Sequence, residues 1–148
     1  MRKNSFTLLE ILIVIGIIAI LAALTVGGIQ FAGDKSDEAK TRAVMKEFEM
    51  ALEKYKKDKG TYPIVAAGEI NLGNDKWKTF KAGKYLGGDN SGLIVDGYGN
   101  PLYYCYPGTK NKGKYDLWSK GPDDKHGSDG DIDNRGAEGS DDICNWRQ

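Results

Sequence analysis

The polarity of the chain changes character along its length. From Phe6 to Ile29 it is apolar apart from small hydroxyls, with Glu10 the one strongly polar group. A run of ~18 or more apolar residues is what a helix needs to cross a bilayer. From Asp34 to Lys59 the helical register continues in amphipathic form. Val44, Phe48, Ala51, Leu52 and Tyr55 fall at i, i+4, i+7, i+8 and i+11, a single apolar stripe suited to receiving a small sheet, with charges on the other faces. Glu38 with Arg42 and Glu53 with Lys57 are i, i+4 pairs in the favourable orientation. Gly60 then ends the helix, and the Pro of "GTYP" prevents its resumption. Continuous from Phe6, such a helix would be ~80 Å long at about 1.5 Å per residue, a shaft carrying a head.

After the helix the periodicity weakens. Ile64 to Asp96 is rich in Gly, Asn and Lys and reads as a loop, with a short helix or turn near "DKWKTF" and Trp77, Phe80 and Tyr85 as anchors. Two aromatic-rich stretches follow, Pro101 to Pro107 and Lys114 to Ser119, joined by a Gly-Thr-Lys-Asn-Lys-Gly turn. They predict an antiparallel hairpin. The fold class is α+β, a long helix packed on a small antiparallel sheet with an acidic C-terminal loop.

Charge and length narrow the function. The 148 residues carry 21 basic and 21 acidic side chains, a balance unlike that of a protein that neutralises nucleic-acid phosphates. The length supports one modest domain plus an appended segment. Arg2 and Lys3 precede the oily run and orient a single span with its N-terminus cytoplasmic. A secretory signal peptide would need small residues at A-x-A spacing, and Ala23 with Thr25 is a poor version. A plain anchor leaves Glu10 unexplained, since an ionised carboxylate in lipid costs several kcal/mol. The helix macrodipole relieves only part of that. Were the chain cut between Ser5 and Phe6, the new amine of Phe6 would be a cation for Glu10, one that a staggered neighbouring copy presents more easily than the same helix.

The pattern "S-FTLLE-ILIVIGIIAILAAL" resembles the class III signal of type IV pilins and type II secretion pseudopilins. The resemblance implies that a prepilin peptidase cuts between Ser5 and Phe6 on the cytoplasmic face and methylates Phe6, and that Glu10 is the assembly glutamate. This chain has Ser5 where the family prefers Gly before the cut, and Gly27-Gly28 where many relatives have a helix-bending Pro. "DGYGNPLYY" and "YDLWSKGPD" are similar to elements of the major, G-type pseudopilin. The implied organisation is a leader over 1–5, a transmembrane and filament-core helix over 6–29, and a periplasmic or extracellular head over 30–148. The implied function is a non-enzymatic subunit of a homopolymeric pseudopilus that drives protein export. Its partners would be the peptidase, an inner-membrane assembly platform, minor pseudopilins and, before assembly, membrane lipid; nucleic acid is not among them. The alternatives are a surface type IV pilus subunit, against which the "GPDD" tail argues, and a membrane-anchored periplasmic enzyme or binding module.

The tail gathers Asp123, Asp124, Asp129, Asp131, Asp133, Glu138, Asp141 and Asp142, with Lys125 and Arg135 among them. So many carboxylates in a Gly-rich loop suit a hard cation such as calcium, which takes ~6–8 oxygens in flexible geometry. "DGDIDN" fails the EF-hand template at Asn134 and Ser140. The resemblance implies calcium with Asp123 and Asp131 as side-chain ligands and the backbone oxygens of Lys120 and Ser128 beside them. Gly130 occupies the place of one acid of the family's Asp pair. Either Asp129 or Asp133 replaces it, or an insertion moves the pair to Asp141 and Asp142. A loop this poor in apolar residues would depend on the ion for its order; the alternative is a solvated acidic loop without metal.

Cys105 and Cys144 are the two cysteines, and outside the cytoplasm they are expected to form one disulfide; two buried thiols are the alternative. Cys105 with the single histidine, His126, could form a nucleophile and base, but no orienting third group is evident. His126 reads as a surface residue. No phosphate-cradling loop and no zinc-ligand spacing is present.

Overall fold

The computed structural model describes residues 7–77, 80, 85–86, 92–127 and 129–147, with the backbone alone for 24–32 and 76. It comprises helix α1 (Leu8–Lys59) and four strands, β1 (Val65–Glu69), β2 (Tyr103–Tyr106), β3 (Asp116–Ser119) and β4 (Ile143–Cys144). Short 3-10 turns lie at Asp75–Trp77 and Ile132–Asn134. The chain divides into two compact units, Met1–Lys35 and Ser36–Gln148.

In the first unit, Thr7 caps the helix. Its hydroxyl and its carbonyl both accept from the Glu10 N–H, at 3.3 and 3.0 Å, which satisfies one of the donors a helix start leaves open.

In the second unit the strands form one antiparallel sheet in the order β1-β2-β3-β4. The predicted stripe of α1 is the buried one. Met45, Phe48, Ala51 and Leu52 enter the core, and Val44 and Tyr55 pack against it. Alternation along each strand assigns the sheet faces. Tyr104, Leu117 and Ile143 join the cluster that contains the helix stripe, whereas Tyr103, Cys105, Trp118 and Cys144 form a second cluster with Ile132 and Trp146. Phe48, Trp77 and Tyr104 meet edge to face, with centroids 5.1 to 6.4 Å apart, the arrangement favoured by ring quadrupoles.

The expected hairpin is present, with Tyr103 opposite Trp118 and Cys105 opposite Asp116. Trp77, Phe80 and Tyr85 are buried anchors as expected. The segment read as loop, however, contains β1, and its "VAAGE" sequence has little β propensity to announce it. Pairing with β2 imposes the strand, with an irregularity between Val65 and Gly68. The bridges Asn71 to Leu93 and Val95 to Pro101 also fall in or beside this segment. The turn near "DKWKTF" is the 3-10 turn, while Lys78 and Thr79 lie outside the described residues.

A turn at Asp96–Asn100 clasps the helix to the far end of β3. Asp96 Oδ1 accepts from the N–H groups of Tyr98 and Asn100 at 2.9 and 2.8 Å. Asp96 Oδ2 accepts from the Ser119 hydroxyl, which in turn accepts from the Gly121 N–H at 3.0 Å. The Gly97 N–H donates to the buried Thr41 hydroxyl at 2.9 Å, and that hydroxyl donates to the Asp37 carbonyl at 2.8 Å. The backbones approach so closely that a Cβ at Gly97 would overlap the Asp37 carbonyl. Gly97→Ala is therefore expected to cost roughly 1–3 kcal/mol, read as a lower melting temperature of the detergent-solubilised chain. A change within error would contradict the close approach.

Candidate functional site

Two regions carry the sequence-predicted functional residues. At the helix start every described side chain from Thr7 to Ala23 is exposed, from Leu8 at 86% to Val14 at 48% among the large apolar ones. A row of bare aliphatic side chains is a surface that water disfavours. Glu10 lies within it. Among the described residues no helix is long and apolar enough to cross a membrane, and the described side chains of the run stop at Ala23. Ser5 and Phe6 lie outside the described residues.

The acidic loop covers the second face of the sheet, and its carboxylates fall into two groups. In the first, Asp123 Oδ1 accepts from the Lys125 N–H at 2.9 Å, and Asp141 Oδ2 accepts from the Asp123 N–H at 3.2 Å. Lys120 pairs with Asp124 at 2.6 Å and holds its ammonium over the Tyr103 ring. Burial raises the Asp141 carboxyl above its ordinary value, and the charges of Asp123 and Asp142 push the same way.

In the second group the carboxylates serve the loop's own backbone. Asp129 accepts from the Asp131 N–H at 3.0 Å and from the Asn134 amide at 2.6 Å. Asp131 caps the turn at Ile132–Asn134 by accepting from the Asp133 N–H at 3.0 Å. The buried Asp142 accepts through Oδ2 from the N–H groups of Gly127 and Gly136 at 2.7 and 2.6 Å, while its Oδ1 is buried without a hydrogen-bond partner.

The ligand set expected from the resemblance is thus not brought together. Asp123 keeps company with Asp141, and Asp129 and Asp131 turn to their own sub-loop. Ser128 lies outside the described residues. Among the described residues no three acid, histidine or cysteine side chains converge on a metal position. The donor chemistry nevertheless fits a hard cation, because Asp142 Oδ1 is an orphaned carboxylate oxygen one residue from Asp141.

The strongest electrostatic feature of this face is one that sequence reading missed. Asp116 on β3 is fully buried and pairs with the equally buried Arg135 at 3.0 Å. Its carboxylate also accepts from the N–H groups of Thr109, Lys110 and Asn111 at 2.7 to 3.0 Å. Burial pushes the carboxyl up, but the Lys110, Asn111 and Thr109 N–H groups and the Arg135 guanidinium outweigh it and hold the group below its ordinary value. Arg135 donates to the Ile132 carbonyl at 2.7 Å and lies 4.7 Å over the Trp118 ring. The signal available in the sequence was Asp116 itself, a charge inside the aromatic strand "YDLW".

The cysteines correct an expectation, for both are buried free thiols. Strand β3 lies between β2 and β4, and Cys144 is in register with Tyr103 across Trp118, so Cys105 and Cys144 stand two ladder spacings and two residues apart, roughly 11–12 Å. A disulfide spans about 4.4–6.8 Å between Cα atoms. Burial raises both thiols, Cys144 to about 11, with Asp116 and Asp142 respectively adding to the effect.

His126 is likewise not a free surface group. Its Nδ1 accepts from the Trp118 indole at 3.1 Å, and its ring packs 4.7 Å from Tyr103. Burial, then the nearby Lys120 charge, lowers its pKa. Cys105 instead donates to Asp116 at 3.6 Å, so the imagined thiol and imidazole serve different partners.

A pilin-like class is defined by these features together: an exposed apolar helix start with an acid near its head, continuing as an amphipathic helix on a small antiparallel sheet. Residues 1–26 match the prokaryotic N-terminal methylation motif, and residues 29–146 match the family model of type II secretion system (T2SS) protein G. The chain is 35% identical to type II secretion system core protein G of Pseudomonas aeruginosa, covering 98% of this chain and 96% of that protein. The proteins of the same name from Aeromonas hydrophila and Escherichia coli are 37% and 36% identical, over 90% and 91% of this chain and 92% of each relative. The chain belongs to the type II secretion system protein G family.

The buried pair sets an acid limit on stability. Because the folded Asp116 carboxyl lies below its unfolded value of about 3.9, its contribution is fully present above that pH and is lost as pH falls through the folded value. Asp116→Asn leaves Arg135 without its counter-charge and is expected to cost ~3–5 kcal/mol at neutral pH, with a shallower loss of stability below pH ~4 than the parent shows. Parallel acid-denaturation curves for the two proteins would refute this.

Proposed function

We propose that this chain is a structural, non-enzymatic subunit of a type II secretion pseudopilus, cut between Ser5 and Phe6 and N-methylated on Phe6 by a prepilin peptidase. The observation that carries the reading is the junction of a methylation motif over residues 1–26 with a helix whose aliphatic side chains from Leu8 to Leu21 are bare. Residues 1–5 act as leader, residues 6–29 as the membrane-spanning and filament-core helix, and residues 30–148 as the periplasmic head. The N-terminus stays cytoplasmic until the subunit leaves the inner membrane for the filament.

Glu10 selects for assembly. In lipid an ionised carboxylate is costly, and the methylated amine of Phe6 on an adjoining copy supplies the cation that relieves it. Polymerisation then proceeds by removing an unfavourable charge as well as by packing apolar helices, on an assembly platform and with minor pseudopilins as partners.

The acidic loop binds calcium in this reading. Of the alternatives left open by the sequence, the one supported by the chemistry here joins Asp123 to Asp141 and Asp142, given the orphaned Asp142 oxygen and the contact between Asp123 and Asp141. Calcium would supply positive charge to a cluster whose carboxyls repel one another.

Three measurements test these statements. Mass spectrometry of the mature N-terminus is expected to find methylated Phe6, and an intact Met1 or a start beyond residue 20 would exclude the processing. Glu10→Gln is expected to abolish polymers while leaving the head folded; normal filaments would remove the charge argument. Chelation is expected to lower the melting temperature of the full chain in detergent, with calcium at ~100 times its Kd restoring about 2.7 kcal/mol. An unchanged melting curve would dismiss the metal.

A further inference from the structure

The two groups of carboxylates differ in where their compensating charge comes from. In the stretch Gly127–Asp142, Asp129, Asp131 and Asp142 already accept from N–H groups of that same stretch. The cation in that stretch is internal. Arg135 is 3% exposed, and its planar fork reaches the Ile132 carbonyl, the Asp116 carboxylate and the Thr109 hydroxyl while stacking on Trp118.

Steric fit reinforces the electrostatics. A Cβ on Gly136 would meet Cys144 Sγ at 2.7 Å and the Trp146 ring at 2.8 Å, and one on Gly127 would meet the Asn134 carbonyl at 2.5 Å. This half of the loop is therefore packed onto the sheet as well as hydrogen-bonded. In the stretch Gly121–Lys125 a Cβ on Gly121 would likewise meet the Asp141 carbonyl at 2.5 Å, but the Asp124 side chain that pairs with Lys120 is 56% exposed, and Asp123 is exposed too.

We propose that Arg135 takes the place of a bound cation for residues 127–140, so that this half of the loop keeps its fold without metal and any calcium dependence is confined to residues 121–125 with Asp141 and Asp142. The proposal rests on the calcium reading only for where metal dependence lies; the internal role of Arg135 does not need it. Arg135 acts as a positioning residue. It fixes the turn at Ile132–Asn134 against Asp116 and thereby places the Gly136 N–H on Asp142. A guanidinium suits this role better than an ammonium, since one fork engages several oxygens in fixed directions while its face lies on an indole.

Amide hydrogen exchange on the full chain in detergent, with calcium and with chelator, is the test. In the parent protein the Gly127 and Gly136 amides are expected to keep their protection on chelation. Loss of that protection would overturn the proposal. The Asp123 amide, which donates to Asp141, reports separately on calcium: if it alone responds, both readings stand, and if no amide responds, the calcium reading fails while the Arg135 arm still decides this one. Arg135→Gln is expected to accelerate exchange at Gly127 and Gly136 by at least about tenfold beyond any change at the core amide Leu102, in either medium, with Arg135→Lys intermediate. Equal acceleration at all three positions, or none, would reduce Arg135 to an ordinary stabilising residue. Should Arg135→Gln fail to fold, the chelation measurement on the parent together with Arg135→Lys decides the matter.

Discussion

A four-stranded sheet whose side chains are apolar on both faces must be covered twice. α1 covers the face carrying Tyr104, Leu117 and Ile143. The face carrying Tyr103, Cys105, Trp118 and Cys144 falls to a loop with eight acids. Everything distinctive about the C-terminal third follows from that assignment. Such a loop gains little from apolar burial, so its order comes from hydrogen bonds and charge, and Asp116 with Arg135 is where the two are concentrated. Removing either partner would strand a charge beneath the loop, so the pair acts more as a specifier of one arrangement than as a net source of stability.

The amount of the fold that could be read from the sequence varied with the kind of force responsible. Where burial of apolar surface decided the outcome, periodicity was sufficient, as for the stripe from Val44 to Tyr55 and for the aromatic strands around Tyr104 and Leu117. Where tertiary pairing decided it, local pattern was silent. "VAAGE" becomes β1 because β2 presents an edge to it, and Ile143–Cys144 becomes β4 because Trp118 and Ser119 do the same. Polar roles were least legible. Thr41, Asp96 and Asp116 look like ordinary helix, turn and strand residues, and only three-dimensional proximity shows one joining the Gly97 turn to the helix, one organising that turn, and one holding down a hairpin loop. The expected disulfide failed for a topological reason, since the order of strands places β3 between the cysteines.

The two units divide the work of a filament subunit along the same line. Met1–Lys35 contains the methylation motif, the capped helix start and Glu10. Ser36–Gln148 contains a self-sufficient core and the acidic cover. Chemistry is done to the first unit, and the second presents a surface. Neither its buried, protonated thiols nor its indole-bound imidazole offers a reactive group.

The sheet order β1-β2-β3-β4 has a temporal meaning. Each strand adds to the one made just before it, but only β2 and β3 are joined by a short turn; the β1–β2 and β3–β4 pairings close loops of more than twenty residues. β4 and the covering loop follow β3 in the chain, and until they are in place Trp118 stays wet. Burial of this one indole therefore marks a finished head, because His126, Arg135, Cys144 and Trp146, which enclose it, all come after β3.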